Sequence, residues 1–364
     1  MKRLFAGMTA ALLAVTLVFS VSAESISARS YVLLDAATGR ILLERGPDQR
    51  SLIASTTKIM TALIVCEQCN VLDRGRIPKE AVGVEGSSLY LQEGEILTIQ
   101  ELLYGLMLHS GNDAATALAI YCGGTVEAFS EIMNDKARML GLTNTHFENP
   151  HGLDSDAHYS TAEDLAKLAA YAMENPIFSK IVSTKTVKIG ARQLTNHNKL
   201  LWRINGADGV KTGYTKSAGR ILVSSVCRDG RRLVAVTICA PNDWNDHSVL
   251  QEFGFSKYES KQIISVGDIL GTVDVAGGQV QKVRLVAKED FSYPLAKDEK
   301  VSVQLPNPAF VYAPVACGQR AGSAAIFLGE SKIGAVELMY GETVEQEIPE
   351  QKSWLKQLLE GMCV

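Results

Sequence analysis

The chain has 364 residues, a length that predicts about two domains. Hydrophobic residues make up 46% and charged residues 21%, an ordinary globular composition that excludes disorder as the main state. The 36 Lys and Arg residues against 40 Asp and Glu residues give a net charge of −4, and no long basic run occurs, which argues against a nucleic-acid-binding protein.

Residues 1–23 have the pattern of a secretory signal peptide. Lys2 and Arg3 supply the positive start, a mostly apolar run extends from Leu4 to Val21, and the segment ends in the small residues V-S-A, a cleavage site. An uncleaved membrane anchor is the alternative, because the apolar run approaches membrane-spanning length. Either interpretation predicts an exported protein that works outside the cytoplasm.

Strand and helix patterns follow. Two short apolar runs at 31–35 and 40–44 flank the turn sequence A-A-T-G and predict a β-hairpin. Thr98 and Glu101 form a capping box at the start of a helix that ends at His109. With this one included, apolar residues at helical spacing predict helices at about residues 55–66, 98–109, 113–122, 125–140 and 161–175.

Strand patterns return further along the chain. Runs at 221–227 and 233–240 flank the turn sequence R-D-G-R and predict a second hairpin, followed by a helix from Asp246 to Phe253. The simplest fold for this part is an α+β domain in which the first hairpin and the later strands form one antiparallel sheet covered by helices.

The chain changes character after about residue 262. Short strand-like runs alternate with Gly and Pro turns as far as Pro349, and they predict a small all-β domain. Examples of these runs lie at 263–266, 269–273, 283–286, 301–305 and 335–340. No cluster of Ser, His or Asp residues in this region suggests chemistry.

Seven cysteines are scattered along the chain, so at least one is unpaired within the molecule. Cys66 and Cys69 form a C-x-x-C pair, but the pair lies inside an apolar helical run rather than at the start of a helix after a strand. A zinc site would need two more ligands, and none lies at a suitable spacing. We therefore expect mostly buried thiols, with a disulfide somewhere in the chain as the alternative.

Three short motifs occur in order along the chain. They are S-x-x-K at 55–58, S-x-N at 110–112 and K-T-G at 211–213. S-x-x-K alone is weak, because a second match at 353–356 has no partner motif after it. S-x-N and K-T-G each occur once, and all three in this order form the motif set of penicillin-binding proteins and β-lactamases.

Ser55 and Lys58 are the predicted nucleophile and general base. Residues three apart lie on one face of a helix, so the Lys58 amine can reach the Ser55 hydroxyl. A serine hydroxyl needs a base to become a nucleophile, and only a neutral lysine can accept its proton. Burial and a second cation, Lys211, would lower the pKa of Lys58. A solvated helix lysine is the alternative, and it fits poorly beside the apolar neighbours Ala54 and Ile59.

The start of this helix and the K-T-G strand would bind the reacting group. Orphan N–H groups and the helix dipole favour an oxyanion beside Ser55, and the backbone N–H of Tyr214 is the expected second donor. A peptide substrate could pair as an added strand with Lys211, Thr212, Gly213 and Tyr214. Lys211 and Thr212 would then hold the substrate carboxylate.

Ser110 and Asn112 complete the predicted site. Ser110 would relay a proton to the leaving amine, and a helix-end serine with a purely structural role is the alternative. Asn112 would bind a substrate amide or orient the Lys58 amine. These two roles for Asn112 stay open at the level of the sequence.

The flanks of the motifs resemble one family, the low-molecular-mass penicillin-binding proteins that are serine-type D-alanyl-D-alanine carboxypeptidases. A-S-T-T-K-I-M-T-A at 54–62 looks like the family's nucleophile helix, and H-S-G-N-D-A-A at 109–115 looks like its second motif. N-P-H-G-L-D at 149–154 and G-A-D-G-V-K-T-G-Y-T at 206–215 resemble two further signature stretches. The resemblance covers nearly the whole chain.

This resemblance implies a β-lactamase-like catalytic domain at 24–258, a small β-rich domain at 262–349 and an amphipathic helix at 350–364. It implies that the terminal D-alanine is removed from peptidoglycan pentapeptide stems through an acyl-enzyme on Ser55, and that β-lactams such as penicillins inhibit this reaction. It implies no metal and no organic cofactor. His151 borders the site in the family, while the sequence is equally consistent with a structural histidine.

Three other functions share these motifs. A class A β-lactamase would carry an E-x-x-L-N loop between Asn112 and Lys211, and the chain has none, so a penicillin adduct should be long-lived. A transpeptidase would use an amine acceptor in place of water, but the chain lacks a long extra domain. A non-catalytic wall-binding scaffold conflicts with the intact Ser55, Lys58 and Ser110.

The C-terminal segment at 350–364 has apolar residues at helical spacing. They are Trp354, Leu355, Leu358, Leu359 and Met362. This pattern predicts an amphipathic helix on the outer face of the cytoplasmic membrane. A helix docked on the β domain is the alternative, because the segment is short and the acidic residues before it would repel anionic lipid.

Overall fold

Residues 26–306 and 308–348 are described by the structure, a computed structural model. The predicted signal peptide at 1–23 and the predicted amphipathic helix at 350–364 lie outside these residues. Within the described ranges, no helix is both long enough and apolar enough to cross a membrane.

Two compact units make up the described chain. The first holds residues up to Ala36 together with Ile41–Phe253, and the second holds Ala37–Arg40 together with the residues from Gly254 onwards. All three motifs lie in the first unit. Its strands are β1 (Ser30–Asp35), β2 (Ile41–Arg45), β3 (Arg74–Arg76), β4 (Ile96–Thr98), β5 (Thr186–Ile189), β6 (Arg192–Thr195), β7 (Ala207–Thr215), β8 (Gly219–Arg228) and β9 (Arg231–Ile238).

A five-stranded antiparallel sheet forms the centre of the first unit, in the order β2–β1–β9–β8–β7. The first hairpin joins the later strands, as the sequence predicts, because β1 pairs with β9 along its whole length. Side chains of a strand alternate between the two faces of a sheet. Since every residue of β1 is buried, both faces of the sheet are covered along this strand.

Helices cover this sheet and carry the predicted capping signals. They are α1 (Lys58–Gln68), α2 (Ile99–Leu108), α3 (Asn112–Gly123), α4 (Val126–Met139), α5 (Ala162–Glu174), α6 (Pro176–Ser183), α7 (Leu200–Arg203) and α8 (Asp243–Lys257). The capping box of α2 is confirmed: the Glu101 N–H donates to Thr98 Oγ1 over 3.1 Å, and the Thr98 N–H donates to Glu101 Oε2 over 2.7 Å. These bonds satisfy two of the backbone donors that a helix start leaves open.

Two helix starts differ from the prediction. Pro176, expected only to end a helix, begins α6 at once, because Asn175 Oδ1 accepts from the N–H groups of Ile177 and Phe178 and a proline at the first helical position needs no N–H partner. α8 begins at Asp243 rather than Asp246. The sequence offers several carboxylates there, and periodicity alone does not choose between them.

The cysteines are more varied than expected. Cys69, just after α1, forms a disulfide with Cys122 near the end of α3, so the C-x-x-C pair is not one redox unit. Cys66 is buried, and burial raises the pKa of its thiol to about 12, which fits the expectation of an inert thiol. Cys227 and Cys239 are half-buried and Cys317 is exposed, contrary to that expectation.

The second unit is a β structure, as predicted. A six-stranded sheet has the order β14–β16–β17–β12–β11–β15, and β10 pairs with β13. The strands are β10 (Tyr258–Ile264), β11 (Ile269–Ala276), β12 (Lys282–Ala287), β13 (Phe291–Ala296), β14 (Val301–Gln304), β15 (Val311–Tyr312), β16 (Arg320–Leu328) and β17 (Ser331–Tyr340). Val283, Leu285 and Leu338 lie in its core.

Four strands of this unit depart from the runs given above. The run expected at 263–266 is wrong, because β10 ends at Ile264 and a turn follows. β13, β15 and β16 lie outside the given runs. Pro294 interrupts the pattern of β13 and Gly322 that of β16, and both residue types are poor strand signals, while β15 is only two residues long.

Candidate active site

Ser55 lies in a short 3₁₀ turn, Ala54–Thr57, which leads directly into α1. Hydroxyl groups hold this turn: Thr56 Oγ1 donates to the Ile53 carbonyl over 2.6 Å, and Thr57 Oγ1 donates to the Ala54 carbonyl over 2.8 Å. Ala54 has a φ of +45°, a left-handed conformation that is costly for alanine and typical of functional sites. The turn leaves Ser55 half-buried at the surface of a cleft.

Lys58 is fully buried, and its amine has three oxygen neighbours. Ser55 Oγ lies 2.9 Å from Lys58 Nζ. Lys58 Nζ also donates to Asn112 Oδ1 over 2.7 Å and to the backbone carbonyl of His151 over 2.6 Å. The two residues of the first motif are therefore in direct contact, and the second motif joins them through Asn112.

The surroundings of Lys58 disfavour its charged form. Burial lowers the pKa of Lys58 well below the usual lysine value, and the nearby Lys211 lowers it further, while Asp113 opposes the shift. Lys211 is itself fully buried, and burial lowers its pKa to about 7. A neutral Lys58 amine keeps a lone pair that can accept the proton of Ser55.

The second motif is held by the buried carboxylate of Asp113. This carboxylate accepts from the backbone N–H groups of Leu89 and Leu91 and from the Ser88 hydroxyl, which ties the start of α3 to the preceding loop. Ser110, just before α3, is buried and has a φ of +66°.

Both polar atoms of the Asn112 side-chain amide form a hydrogen bond. Its Nδ2 donates to the Glu85 carbonyl over 2.5 Å, while Oδ1 accepts from Lys58. The Glu85 contact fixes which way the amide faces, because only the NH₂ group can donate.

The K-T-G motif lies on β7, at the edge of the sheet, against the Ser55 turn. A Cβ atom at Gly213 would lie 3.2 Å from the Ile53 carbonyl oxygen and 3.3 Å from the Ser55 nitrogen, so glycine permits this close approach. Lys211 Nζ donates to the Thr212 carbonyl over 2.9 Å. Tyr214 follows, with a largely exposed side chain.

These elements enclose a cleft of about 390 Å³. Its lining residues are Ser55, Ser87, Ser110, His197, Lys199, Thr212, Gly213, Tyr214, Arg220, Asp243 and Trp244. Five of the eight predicted site residues line it, and the other three, Lys58, Asn112 and Lys211, are buried. The lining includes cations, an acid and an aromatic residue that carry no motif. No group of three or more His, Cys, Asp or Glu side chains in the described ranges could hold a metal ion.

His151 contributes its backbone rather than its ring. Its carbonyl accepts from Lys58, and its ring Nδ1 accepts from the Leu153 N–H over 3.3 Å. Burial and the nearby Lys58 lower the pKa of the His151 ring to about 3, so the ring is neutral at pH 7. Gly152 has a φ of +88°, and a Cβ atom there would lie 1.9 Å from the Ala54 carbonyl oxygen. The loop thus fits closely under the Ser55 turn.

The geometry suits acyl transfer. A half-buried hydroxyl contacts a buried amine of lowered pKa, a helix start lies beside it, and an edge strand borders the cleft. A nucleophile in contact with its base, next to backbone N–H groups that can bind an oxyanion, is the arrangement used for covalent acyl-enzyme chemistry.

Comparisons with known proteins agree with this chemistry. The D-alanyl-D-alanine carboxypeptidase family matches residues 17–242, and the penicillin-binding protein 5 C-terminal domain matches residues 258–346. The chain is 33% identical to the D-alanyl-D-alanine carboxypeptidase DacF of Bacillus subtilis, over 86% of each chain. It is 34% identical to the carboxypeptidase DacC of Escherichia coli, over 90% of this chain and 86% of that one.

Solved structures give a similar result for the fold. Penicillin-binding protein 5 from Haemophilus influenzae matches with a TM-score of 0.77 and 31% sequence identity. The match covers 90% of this chain and all of that structure.

Proposed function

Because the chain belongs to the D-alanyl-D-alanine carboxypeptidase family, we propose that Ser55 is its nucleophile and Lys58 its general base. The protein is a serine-type carboxypeptidase that removes the terminal D-alanine from a D-alanyl-D-alanine end. The observation that carries the two assignments is the contact of 2.9 Å between Ser55 Oγ and a buried Lys58 amine.

The neighbours of Lys58 support transfer of a proton from the Ser55 hydroxyl to the Lys58 amine. A neutral amine has two N–H bonds and one lone pair. Asn112 Oδ1 and the His151 carbonyl are acceptors only, so they take the two N–H bonds. The lone pair is left for the third neighbour, the Ser55 hydroxyl. Asn112 therefore acts by orienting Lys58, one of its two predicted roles.

Acylation follows from this arrangement. Lys58 takes the proton of the Ser55 hydroxyl as Ser55 Oγ attacks the carbonyl carbon of the penultimate D-alanine. The N–H groups of Ser55 and Tyr214 bind the oxyanion that forms. The C–N bond then breaks, and the proton held by Lys58 passes through Ser110 to the leaving amine, which leaves Lys58 neutral again. Water hydrolyses the ester on Ser55 and restores the enzyme.

Lys211, Thr212 and Gly213 are proposed to hold the substrate. The edge position of β7 leaves backbone groups free to pair with an extended peptide. Lys211 has a second effect, because its proximity lowers the pKa of Lys58. We assign the catalytic domain to residues 24–258 and the β-rich domain to residues 262–349.

Peptidoglycan stem peptides are the proposed substrates, which places the enzyme outside the cytoplasm. We also propose that residues 350–364 rest on the outer face of the cytoplasmic membrane, on the basis of their amphipathic pattern. Membrane fractionation of the chain with and without residues 350–364 measures this contact. The proposal requires the shortened chain to leave the membrane fraction, and unchanged fractionation contradicts it.

Penicillin is expected to form a long-lived ester on Ser55. The chain lacks the E-x-x-L-N loop by which class A β-lactamases activate the deacylating water, so hydrolysis of the adduct should be slow. Intact mass spectrometry should show the mass of one penicillin added, and peptide mapping should place it on Ser55. Rapid return to the unmodified mass, or an adduct on another residue, would contradict the assignment.

A further inference from the structure

The peptide bond between Ala54 and Ser55 carries one of the two N–H groups proposed to bind the oxyanion. Its carbonyl and its N–H point in opposite directions, because the bond is trans. The carbonyl side faces the loop of Gly152, where a Cβ atom would lie 1.9 Å from the Ala54 oxygen. The nitrogen side faces Gly213, where a Cβ atom would lie 3.3 Å from the Ser55 nitrogen. Any group that fixes this carbonyl therefore also fixes the direction of the Ser55 N–H.

The Thr57 hydroxyl fixes the Ala54 carbonyl. Thr57 is fully buried, and its Oγ1 donates to this carbonyl oxygen over 2.8 Å. The bond holds a peptide group that is costly to form, because Ala54 has a φ of +45°. A hydrogen bond accepted by a peptide carbonyl also polarises the whole peptide group, which makes the N–H on its other side a stronger donor.

His158 holds the Thr57 hydroxyl in turn. Its Nε2 lies 2.7 Å from Thr57 Oγ1, and its Nδ1 accepts from the backbone N–H of Glu148 over 3.1 Å. Burial lowers the pKa of His158 to about 4, so the ring is neutral at pH 7 and carries a single N–H. Since Nδ1 accepts, the proton is on Nε2, which donates to Thr57 Oγ1. The hydroxyl proton of Thr57 then points at the Ala54 carbonyl.

Packing keeps the His158 ring in this orientation. The residue is only 1% exposed, and its ring meets the Phe147 ring edge to face, with centroids 5.7 Å apart. Three hydrogen bonds thus run in one direction, from the Glu148 N–H through His158 and Thr57 to the Ala54 carbonyl. This hydrogen-bond chain ends on the peptide group whose other end is the Ser55 N–H.

We propose that His158 is a positioning residue of the oxyanion site, which acts through the Thr57 hydroxyl and the Ala54 carbonyl to orient and polarise the Ser55 N–H. The proposal rests on the acyl-enzyme mechanism given above and adds residues that touch neither substrate nor reacting atoms. The alternative is a brace that only stabilises the turn. Because the oxyanion forms during acylation, a weakened donor slows that step and leaves the preceding binding step unchanged.

Penicillin acylation of Ser55 distinguishes the two roles. The dependence of the acylation rate on penicillin concentration gives the dissociation constant of the first complex and the rate constant of acylation. Both are independent of the fraction of folded protein. Thr57→Val keeps the shape of the side chain and removes its hydroxyl. We expect its acylation rate constant to fall about 10- to 100-fold, which approaches the effect of removing an oxyanion donor outright, with an unchanged dissociation constant.

Conservative variants test the hydrogen-bond chain itself. Thr57→Ser keeps a hydroxyl and should keep most of the rate. At position 158, the amide of glutamine reaches the place of Nε2 and can donate to Thr57, whereas the amide of asparagine reaches only the place of Nδ1. His158→Gln should therefore keep most of the rate, and His158→Asn should lose it as Thr57→Val does. Because both of the slow variants break the same chain, the test survives if one of them does not fold.

Thr61→Val is the matched control. Thr61 is also fully buried on α1, and its Oγ1 donates to the carbonyl of Pro150 in the same loop as Gly152, over 2.7 Å. This bond does not involve the peptide group of Ser55. Thr61→Val should therefore lower the thermal unfolding temperature and leave the acylation rate constant unchanged.

The infrared spectrum of the acyl-enzyme gives a second measurement. Hydrogen bonds to an ester carbonyl lower its stretching frequency, and a ¹³C label at the β-lactam carbonyl of the penicillin identifies the band. We expect a higher frequency in Thr57→Val and His158→Asn than in the wild type, and the wild-type frequency in Thr61→Val. A Thr57→Val protein with wild-type rate constant and frequency, or a loss that Thr57→Ser shares, would overturn the proposal. Wild-type protein that penicillin does not acylate would instead contradict the acyl-enzyme on Ser55.

Discussion

Replacing Lys58 with methionine is expected to slow acylation of Ser55 by about 10³-fold, within the range for loss of a general base. The base accepts the proton only in its neutral form, and burial together with Lys211 lowers the pKa of Lys58. Wild-type acylation should therefore persist at neutral pH, below the ordinary lysine pKa of about 10.4. The rate of penicillin acylation, followed by intact mass across pH 6 to 10, measures both effects.

Lys58→Arg is the matched control for this prediction. Arginine keeps a positive charge at the position but cannot lose its proton at any pH in that range. If Lys58 acts as a base, the arginine variant should be as slow as the methionine variant. An arginine variant that acylates at close to the wild-type rate would show that charge, rather than proton transfer, is what the position supplies.

The methionine variant should also remain folded. Methionine is unbranched and of similar length, so it can fill the space of the buried lysine stem. Loss of the amine leaves Asn112 Oδ1 and the His151 carbonyl without their donor, which costs about 1–3 kcal/mol each at most. A thermal unfolding curve for each variant separates lost stability from lost chemistry.

Local patterns predicted the parts of the fold that local physics determines. The capping box of α2 and the hairpin between β1 and β2 depend on neighbours in sequence, and both are present. The second hairpin is present with shifted bounds: β8 extends beyond the expected run at both ends, and β9 begins and ends two residues earlier than expected. The start of α6 at Pro176 shows the limit of prediction from local patterns, because a proline that ends one helix can also begin the next.

The motifs predicted the residues at the centre of the cleft, but they did not predict the residues that line its rim. His197 and Lys199 precede α7, in a segment with no periodic signal. The position of Arg220 on a strand was nearly predicted, since the strand after K-T-G was expected to begin at residue 221 and β8 begins at Gly219. Its place opposite Tyr214 depends on the register across the turn at 216–218, which periodicity does not give.

The sequence predicted the direction of the Lys58 pKa shift, but the acceptors around its amine became visible only in the fold. The sequence predicts a lowered pKa for Lys58 from burial and from Lys211, and the structure gives the same direction from the same two causes. The two acceptors of the Lys58 amine are distant from it in sequence: Asn112 lies 54 residues away at the start of α3, and the His151 carbonyl lies 93 residues away. The loop of His151 can approach because Gly152 fits beneath the Ser55 turn. Long-range contacts of this kind leave no local pattern.

Replacing Ser55 with alanine is expected to abolish D-alanine release. Removal of an enzyme's serine nucleophile lowers kcat by up to about 10⁶-fold, which is below detection in most assays. The side chain is half-buried, and its contact with Lys58 is the one hydrogen bond of its hydroxyl that the structure records, so the variant should fold. We expect it still to bind substrate, since the proposed substrate-binding residues Lys211, Thr212 and Gly213 are unchanged.

The measurement that tests the account most directly is D-alanine release from an N-acylated peptide ending in D-Ala-D-Ala. Protein without residues 1–23 and its Ser55→Ala variant would be assayed in parallel, with thermal unfolding curves to show that both are folded. We predict one D-alanine released per peptide by the first protein and none by the second. Equal release by both would contradict Ser55 as the nucleophile, and no release by either would contradict the carboxypeptidase function.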